Sequence, residues 1–167
     1  MIRVGHGFDV HAFTDDIGRP LVLGGVRFDG ERGLAGHSDG DVIAHACADA
    51  LLGAIAAPDI GSLFSPSNPK WKGADSTLFL RDALRRVRAA GYVVGNLDST
   101  LILAAPKIGP HTAAIRRRLA ELMGIEGDRI GIKAKTPEGM GTDNAAIAHA
   151  TVLLEEKPTR KAASSKS

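Results

Sequence analysis

A single cysteine, Cys47, stands in the 167 residues, so no internal disulfide is available. Set among apolar residues of a helix-forming segment, it reads as core packing rather than as a reactive thiol. No apolar run approaches the ~18 residues that cross a bilayer. The longest weakly polar stretch, Val42 to Ala57, is interrupted by His45 and Asp49. The N-terminus lacks the apolar core of a secretory signal, so the expectation is a cytoplasmic protein that spans no membrane. A basic excess is lacking too. The formal charge is +2, but residues 157 to 167 hold Lys157, Arg160, Lys161 and Lys166 with no acid. Removing those four from 21 basic residues leaves 17 against 19 acidic ones. The high isoelectric point thus belongs to the tail, and nothing in the rest points to nucleic acid. Length and an apolar content of 44% fit one domain. Residues 1–156 are expected to form it, with 157–167 a basic disordered tail.

What is present is concentrated near the start. Four of the six histidines, His6, His11, His37 and His45, fall in the first 45 residues, close to a glycine or a carboxylate. Asp9 and His11 are two apart, so on an extended segment both side chains leave one face, roughly 7 Å apart at the backbone. With His45 they would offer one carboxylate and two imidazoles. That set suits zinc, and three protein ligands leave the fourth tetrahedral position for substrate. The competing reading has Asp9 capping a turn and the histidines at the surface.

Apolar, β-branched runs at 2–10 and 21–28, separated by the turn-forming 15–20, predict a hairpin with the Asp9 and His11 pair at its open end. Residues 41–55 read as a helix capped by Ser38 or Asp39, with His45 one turn inside. Asp49, one turn further on, either accepts the proton of the second His45 ring nitrogen or is an unrelated surface carboxylate. Residues 75–90 form the clearest helix, with Leu80, Leu84 and Val87 on one stripe, Asp75 or Ser76 as cap and Gly91 as terminator. A strand over 93–103, a helix over 110–123 ending at Gly124 and a strand over 130–135 follow. Residues 145–155 allow helix or strand.

Several motifs occur in one order: Gly5-His6-Gly7-Phe8-Asp9-Val10-His11, Gly36-His37-Ser38-Asp39-Gly40-Asp41-Val42 ahead of His45, Asp49-Ala50-Leu51-Leu52-Gly53, and Asp59-Ile60-Gly61 before Phe64. Lys72-Gly73-Ala74-Asp75-Ser76, Ala105-Pro106-Lys107 and Lys133-Ala134-Lys135-Thr136 come after them. Together, over residues 2 to 154, they resemble the 2-C-methyl-D-erythritol 2,4-cyclodiphosphate synthases. Because the metal motif begins at residue 5, the single-function form is expected rather than the double-headed one.

The resemblance makes 145–155 a strand and the fold α+β, a mixed or antiparallel sheet with helices on one face, assembled as a homotrimer around a threefold axis. It implies conversion of 4-diphosphocytidyl-2-C-methyl-D-erythritol 2-phosphate to the 2,4-cyclodiphosphate and CMP, in the non-mevalonate route to isoprenoids. That is a metal-dependent phosphorus-oxygen lyase. By the same resemblance zinc sits on Asp9, His11 and His45, and magnesium on Glu138 with the substrate diphosphate. His37 and Thr136 act in catalysis, His37 and Ser38 contact the 2-phosphate, and Lys135, Thr136, Pro137 and Glu138 meet the diphosphate. Ser38 can cap a helix at the same time, and Thr136-Pro137-Glu138 also has the form of a turn start. Asp59, Ile60, Gly61, Phe64 and Asn68 would hold the methylerythritol part beside Val10. Ala105, Pro106, Lys107, Ile108 and Gly109 would hold the cytidine, on the neighbouring subunit. One departure concerns Ser65 to Asn68, which has no acidic residue where relatives often place aspartate.

Overall fold

The computed structural model describes residues 1–158; the expected tail lies almost wholly outside the described residues. Ten elements carry the fold: β1 (Ile2–Ala12), β2 (Pro20–Leu23), β3 (Val26–Arg32), α1 (Val42–Ala54), the short α2 (Ile60–Leu63), α3 (Thr77–Ala89), β4 (Tyr92–Ile102), α4 (Thr112–Met123), β5 (Ile130–Lys135) and β6 (Ala145–Glu156). Four strands form one mixed sheet in the order β1-β6-β4-β5. β6 is antiparallel to both β1 and β4, while β5 runs parallel to β4. The α+β expectation is met, and residues 145–156 form a strand as the resemblance implied. No helix among the described residues is long and apolar enough to cross a membrane.

The expected hairpin of 2–10 with 21–28 does not form. β1 pairs with β6 along its whole length, from Ile2 opposite Glu155 to Ala12 opposite Ala145. The 21–28 run folds back on itself, because Gly24 and Gly25, at φ +61° and +73°, make the tight two-residue turn between β2 and β3. Two consecutive positive φ values match the right-handed twist of a hairpin, and glycine adopts them without strain.

Inward-facing residues of the sheet, among them Leu97, Leu101, Ala148, Val152 and Leu154, are buried beneath the helices, as is Cys47 on α1. Among the described residues nothing covers the opposite face: Ile2, Val4, Phe8 and Val10 of β1 point out of it, Ile2 65% and Phe8 50% exposed. α1 begins one residue after Asp41, whose fully buried carboxylate is its cap, accepting the Ile43 and Ala44 N–H groups at 3.1 and 3.0 Å. The same carboxylate accepts Gly24 N–H at 2.8 Å and Gly25 N–H at 2.6 Å, locking the β2–β3 turn to the helix. Capping therefore falls to Asp41, not to Ser38 or Asp39, whose side chains are engaged elsewhere.

The approach of α1 to β1 is set by two glycines. A Cβ on Gly5 would lie 1.9 Å from the Ala50 carbonyl oxygen, and one on Gly7 2.0 Å from that of Ala46. Gly5, Gly7, Asp9 and His11 share one face of the strand, so this contact brings α1, and His45 with it, down beside Asp9 and His11. Gly7→Ala should therefore lift the helix from the strand. A loss of about 3 kcal/mol or more in stability is expected, as for an overpacked core, with metal binding lost in parallel. Urea unfolding and metal titration of this variant measure both.

Candidate metal centre and substrate pockets

Asp9 and His11 leave the inward face of β1, and His45 comes from the second turn of α1 to meet them. His45 Nδ1 lies 2.9 Å from Asp9 Oδ2, His11 Nε2 lies 3.0 Å from the same oxygen, and the two nitrogens are 3.2 Å apart. Ligands at about 2.0–2.1 Å around a tetrahedral zinc stand ~3.3 Å from one another, so the triangle already has close to the size of a ligand face. Among the described residues these are the one set of three His, Cys or carboxylate groups close enough to share a metal. Their donor chemistry and spacing fit a divalent ion.

Electrostatics support the same reading. Burial alone would raise the Asp9 carboxyl, but hydrogen bonds from His11 and His45 and their charge hold it well below the usual carboxylate range. Burial disfavours charge on His11, yet the Asp9 hydrogen bond and charge, and the Ala35 carbonyl, raise its pKa overall, against a smaller opposing effect of Arg19. His11 Nδ1–H donates to Ala35 O at 2.6 Å, which leaves Nε2 facing the site. A metal must displace protons here, so its affinity falls as the pH falls.

The second His45 nitrogen, Nε2, does not meet Asp49. It lies 2.7 Å from the Ser76 hydroxyl and 3.1 Å from that of Ser38, both buried. Asp49 instead accepts the Ile60 N–H at 2.8 Å, tying α2 to α1; desolvation raises its carboxyl pKa, with that hydrogen bond opposing. Ser76 and its partner Asp39 were invisible to sequence reasoning as parts of the site, since Ser76 stands where a helix cap belongs.

A cavity of about 320 Å³ opens over the triad, lined also by His37, Ser38, Ile60, Gly61 and Phe64. Phe64, Trp71 and Phe79 build one wall, with ring centroids 4.7 to 5.8 Å apart. His37, half-buried, places Nε2 3.2 Å from the Asn68 carbonyl. Asn68 caps the turn Pro69–Trp71, and the Asp59 carboxylate caps α2 by accepting the Ser62 N–H at 2.7 Å. Val10 lies on the outer face of β1, away from the triad.

Most of the remaining expected residues gather elsewhere, with Ala105 and the buried Pro137 outside the lining. A second cavity of about 440 Å³ is lined by Pro106, Lys107, Ile108 and Gly109 together with Lys135, Thr136 and Glu138. The Thr136 hydroxyl donates to the Glu138 carboxylate, and Glu138 adopts φ +50° in the turn after Pro137. β1 and β5 are the two edges of the sheet. Both cavities lie at the same end of it, since β1, β4 and β5 all run one way, but three strand spacings, roughly 14 Å, separate the edges.

A family model described as the YgbB family matches residues 2–155. The chain belongs to the YgbB family. A relative in Koribacter versatilis, a 2-C-methyl-D-erythritol 2,4-cyclodiphosphate synthase, is 57% identical over 157 residues, covering 94% of this chain and all of that protein. One of the same name in Trichlorobacter lovleyi is 50% identical, over 92% of this chain and 98% of its own length. Among solved structures, that of a 2C-methyl-D-erythritol-2,4-cyclodiphosphate synthase in its CDP-bound form superposes with a TM-score of 0.85 at 42% identity, over 92% of this chain and 100% of that one. A CDP complex of the Plasmodium falciparum protein superposes at 0.81 with 35% identity, over 93% and 97% of the two chains. The YgbB membership agrees with the resemblance read from the motifs.

Proposed function

We propose that this chain converts 4-diphosphocytidyl-2-C-methyl-D-erythritol 2-phosphate into 2-C-methyl-D-erythritol 2,4-cyclodiphosphate and CMP. The observation that carries the reading is the Asp9, His11 and His45 triangle at the floor of an open cavity, in a chain 57% identical to a synthase of that name. An oxygen of the 2-phosphate attacks the β-phosphorus, the bond to the α-phosphate oxygen breaks, and CMP leaves with the electron pair. Both reacting groups belong to one molecule and both are anionic, so the protein's task is alignment and charge dispersal. Alignment of this kind is worth on the order of 7 to 11 kcal/mol.

Zinc, held by Asp9, His11 and His45, would supply Lewis acidity to a phosphate oxygen. His37 and Ser38, at the rim of the same cavity, hold the 2-phosphate, and the aromatic wall limits water. Asp59, Ile60, Gly61, Phe64 and Asn68 enclose the methylerythritol part. Thr136 contacts the diphosphate and Lys135 adds charge beside it, and Pro106 to Gly109 seat the cytosine. Glu138, a lone exposed carboxylate, suits magnesium, which keeps several waters and shares substrate phosphates.

The two cavities act as halves of one site, completed between copies. With both at one end of the sheet but on opposite edges, the β1 edge of one copy meets the β5 edge of the next. This is a head-to-tail contact, the kind that closes into a ring when its rotation divides the full circle. A ring of three, as the resemblance implies, turns the uncovered apolar face of Ile2, Val4 and Phe8 inward, away from water.

Phosphorus NMR of the metal-loaded protein with the cytidyl substrate tests the reaction. CMP and the cyclic diphosphate are expected in equal amounts; CMP with open-chain methylerythritol 2,4-bisphosphate, the product of attack by water, would identify a phosphohydrolase instead. Glu138→Gln, which removes charge but not size, should shift the magnesium titration of turnover at least about tenfold, the cost of losing even a group that only supports a metal ligand, with zinc content unchanged. An unaltered titration would leave Glu138 as a turn residue.

A further inference from the structure

Ser76 occupies the cap position of α3, where a serine hydroxyl ordinarily accepts a bond from the free N–H groups of the helix. Here it makes no such bond. Asp75 does the work instead, its carboxylate accepting the Thr77 N–H at 2.8 Å. The Ser76 hydroxyl, fully buried, is turned the other way, against His45 Nε2 at 2.7 Å and the Asp39 carboxylate. Asp39 is itself held by backbone donors: Oδ2 accepts the Ser76 N–H at 3.1 Å and Oδ1 the Asp41 N–H at 3.0 Å. An ionised carboxylate only accepts, and a hydroxyl has one proton to give. The Ser76 proton therefore goes to Asp39, and its oxygen is left to accept from His45 Nε2–H.

We propose that Ser76 and Asp39 are positioning residues for the metal centre, fixing His45 as the tautomer protonated on Nε2. Nδ1, which faces Asp9 and His11 and hydrogen-bonds Asp9 at 2.9 Å while no metal is bound, is then the nitrogen left for the metal. His11 is set by a parallel device, its Nδ1–H held by the Ala35 carbonyl. The chain thus orients its two imidazoles through opposite nitrogens, one with a main-chain acceptor and one with a hydroxyl whose direction a carboxylate dictates. Ser38, at 3.1 Å from the same His45 nitrogen, is the weaker partner, because no carboxylate orders its proton. Groups that support a metal ligand in this way change affinity about 10- to 100-fold when removed. The inference rests on the metal reading above and extends it by two residues.

The test uses the full chain. Zinc affinity is measured by chelator competition, and the His45 Nε2–H proton is observed in the zinc-loaded protein by nitrogen-edited NMR. Ser76→Ala should bind zinc roughly 10- to 100-fold more weakly and lose the slowly exchanging His45 proton, while the metal-free melting temperature stays close to that of the unaltered chain. A serine that merely packs would lower that melting temperature and leave the affinity alone. Asp39→Asn keeps Ser76 but removes the group that orders its proton, and it should move both readouts in the same direction; it also serves if Ser76→Ala does not fold. Zinc affinity within twofold of the unaltered chain, with the proton still protected, would overturn the assignment. Failure of the unaltered chain to take up zinc would instead overturn the metal reading, and this inference with it.

Discussion

His45→Ala should yield a folded protein that holds no zinc after dialysis and turns over on the order of a thousandfold more slowly, the upper end of the cost of losing one electrostatic stabiliser. Two of three ligands remain, but they are joined through Asp9 alone, and the third corner of the triangle is empty. The fold should survive because α1 is anchored by residues that the substitution does not touch: Asp41 at its cap and the Gly5 and Gly7 contacts against Ala50 and Ala46. The imidazole borders an open cavity, so its removal exposes space that water can fill. Metal analysis and circular dichroism decide the matter. One zinc per chain retained by the variant would break the ligand assignment.

The second large effect is a gain. His45→Ala and Lys107→Ala should each be nearly inactive alone, since each spoils a different half-site. If every complete site draws its metal half from one copy and its cytidine half from the next, mixing the two after subunit exchange restores intact pairs at roughly one contact in four in a randomly mixed ring. Activity should thus rise from near zero to about a quarter of that of the unaltered protein. No recovery, with exchange demonstrated by mass spectrometry of the mixed assemblies, would place the whole site within one chain.

Much of this was legible in the sequence, for identifiable reasons. Asp9 and His11 were paired by the period of a strand, and His45 by its place one turn into a helix; both periodicities survive folding. The strand over 130–135 and the stop at Gly124, which takes the left-handed conformation at φ +72°, follow local rules and were also readable. What escaped depended on direction in space. Asp49 stands one helical turn from His45, but the imidazole tilts toward β1 while Asp49 turns to α2. Ser76, 31 residues from His45, looks like any helix cap until the chain closes. The 21–28 run hid a turn, because two adjacent glycines were read as part of an apolar stretch. The partner of β1 lay at the far end of the chain, and nothing within the first thirty residues specifies it.

β1 carries two unrelated demands on alternate residues. Gly5, Gly7, Asp9 and His11 face the helix and the metal, while Val4, Phe8 and Val10 face outward. Losing one codon between residues 5 and 9 would put the two halves of the strand out of step, because a strand alternates its faces at every step. With the first half held in register, carboxylate and imidazole would point into the apolar exterior; with the second half held, bulky side chains would be driven into the Ala46 and Ala50 backbone. Point changes at Val4 or Val10 can be absorbed one at a time, but a frame-preserving deletion in this segment cannot. The length of the N-terminal strand should therefore drift far less in evolution than its outward-facing residues do.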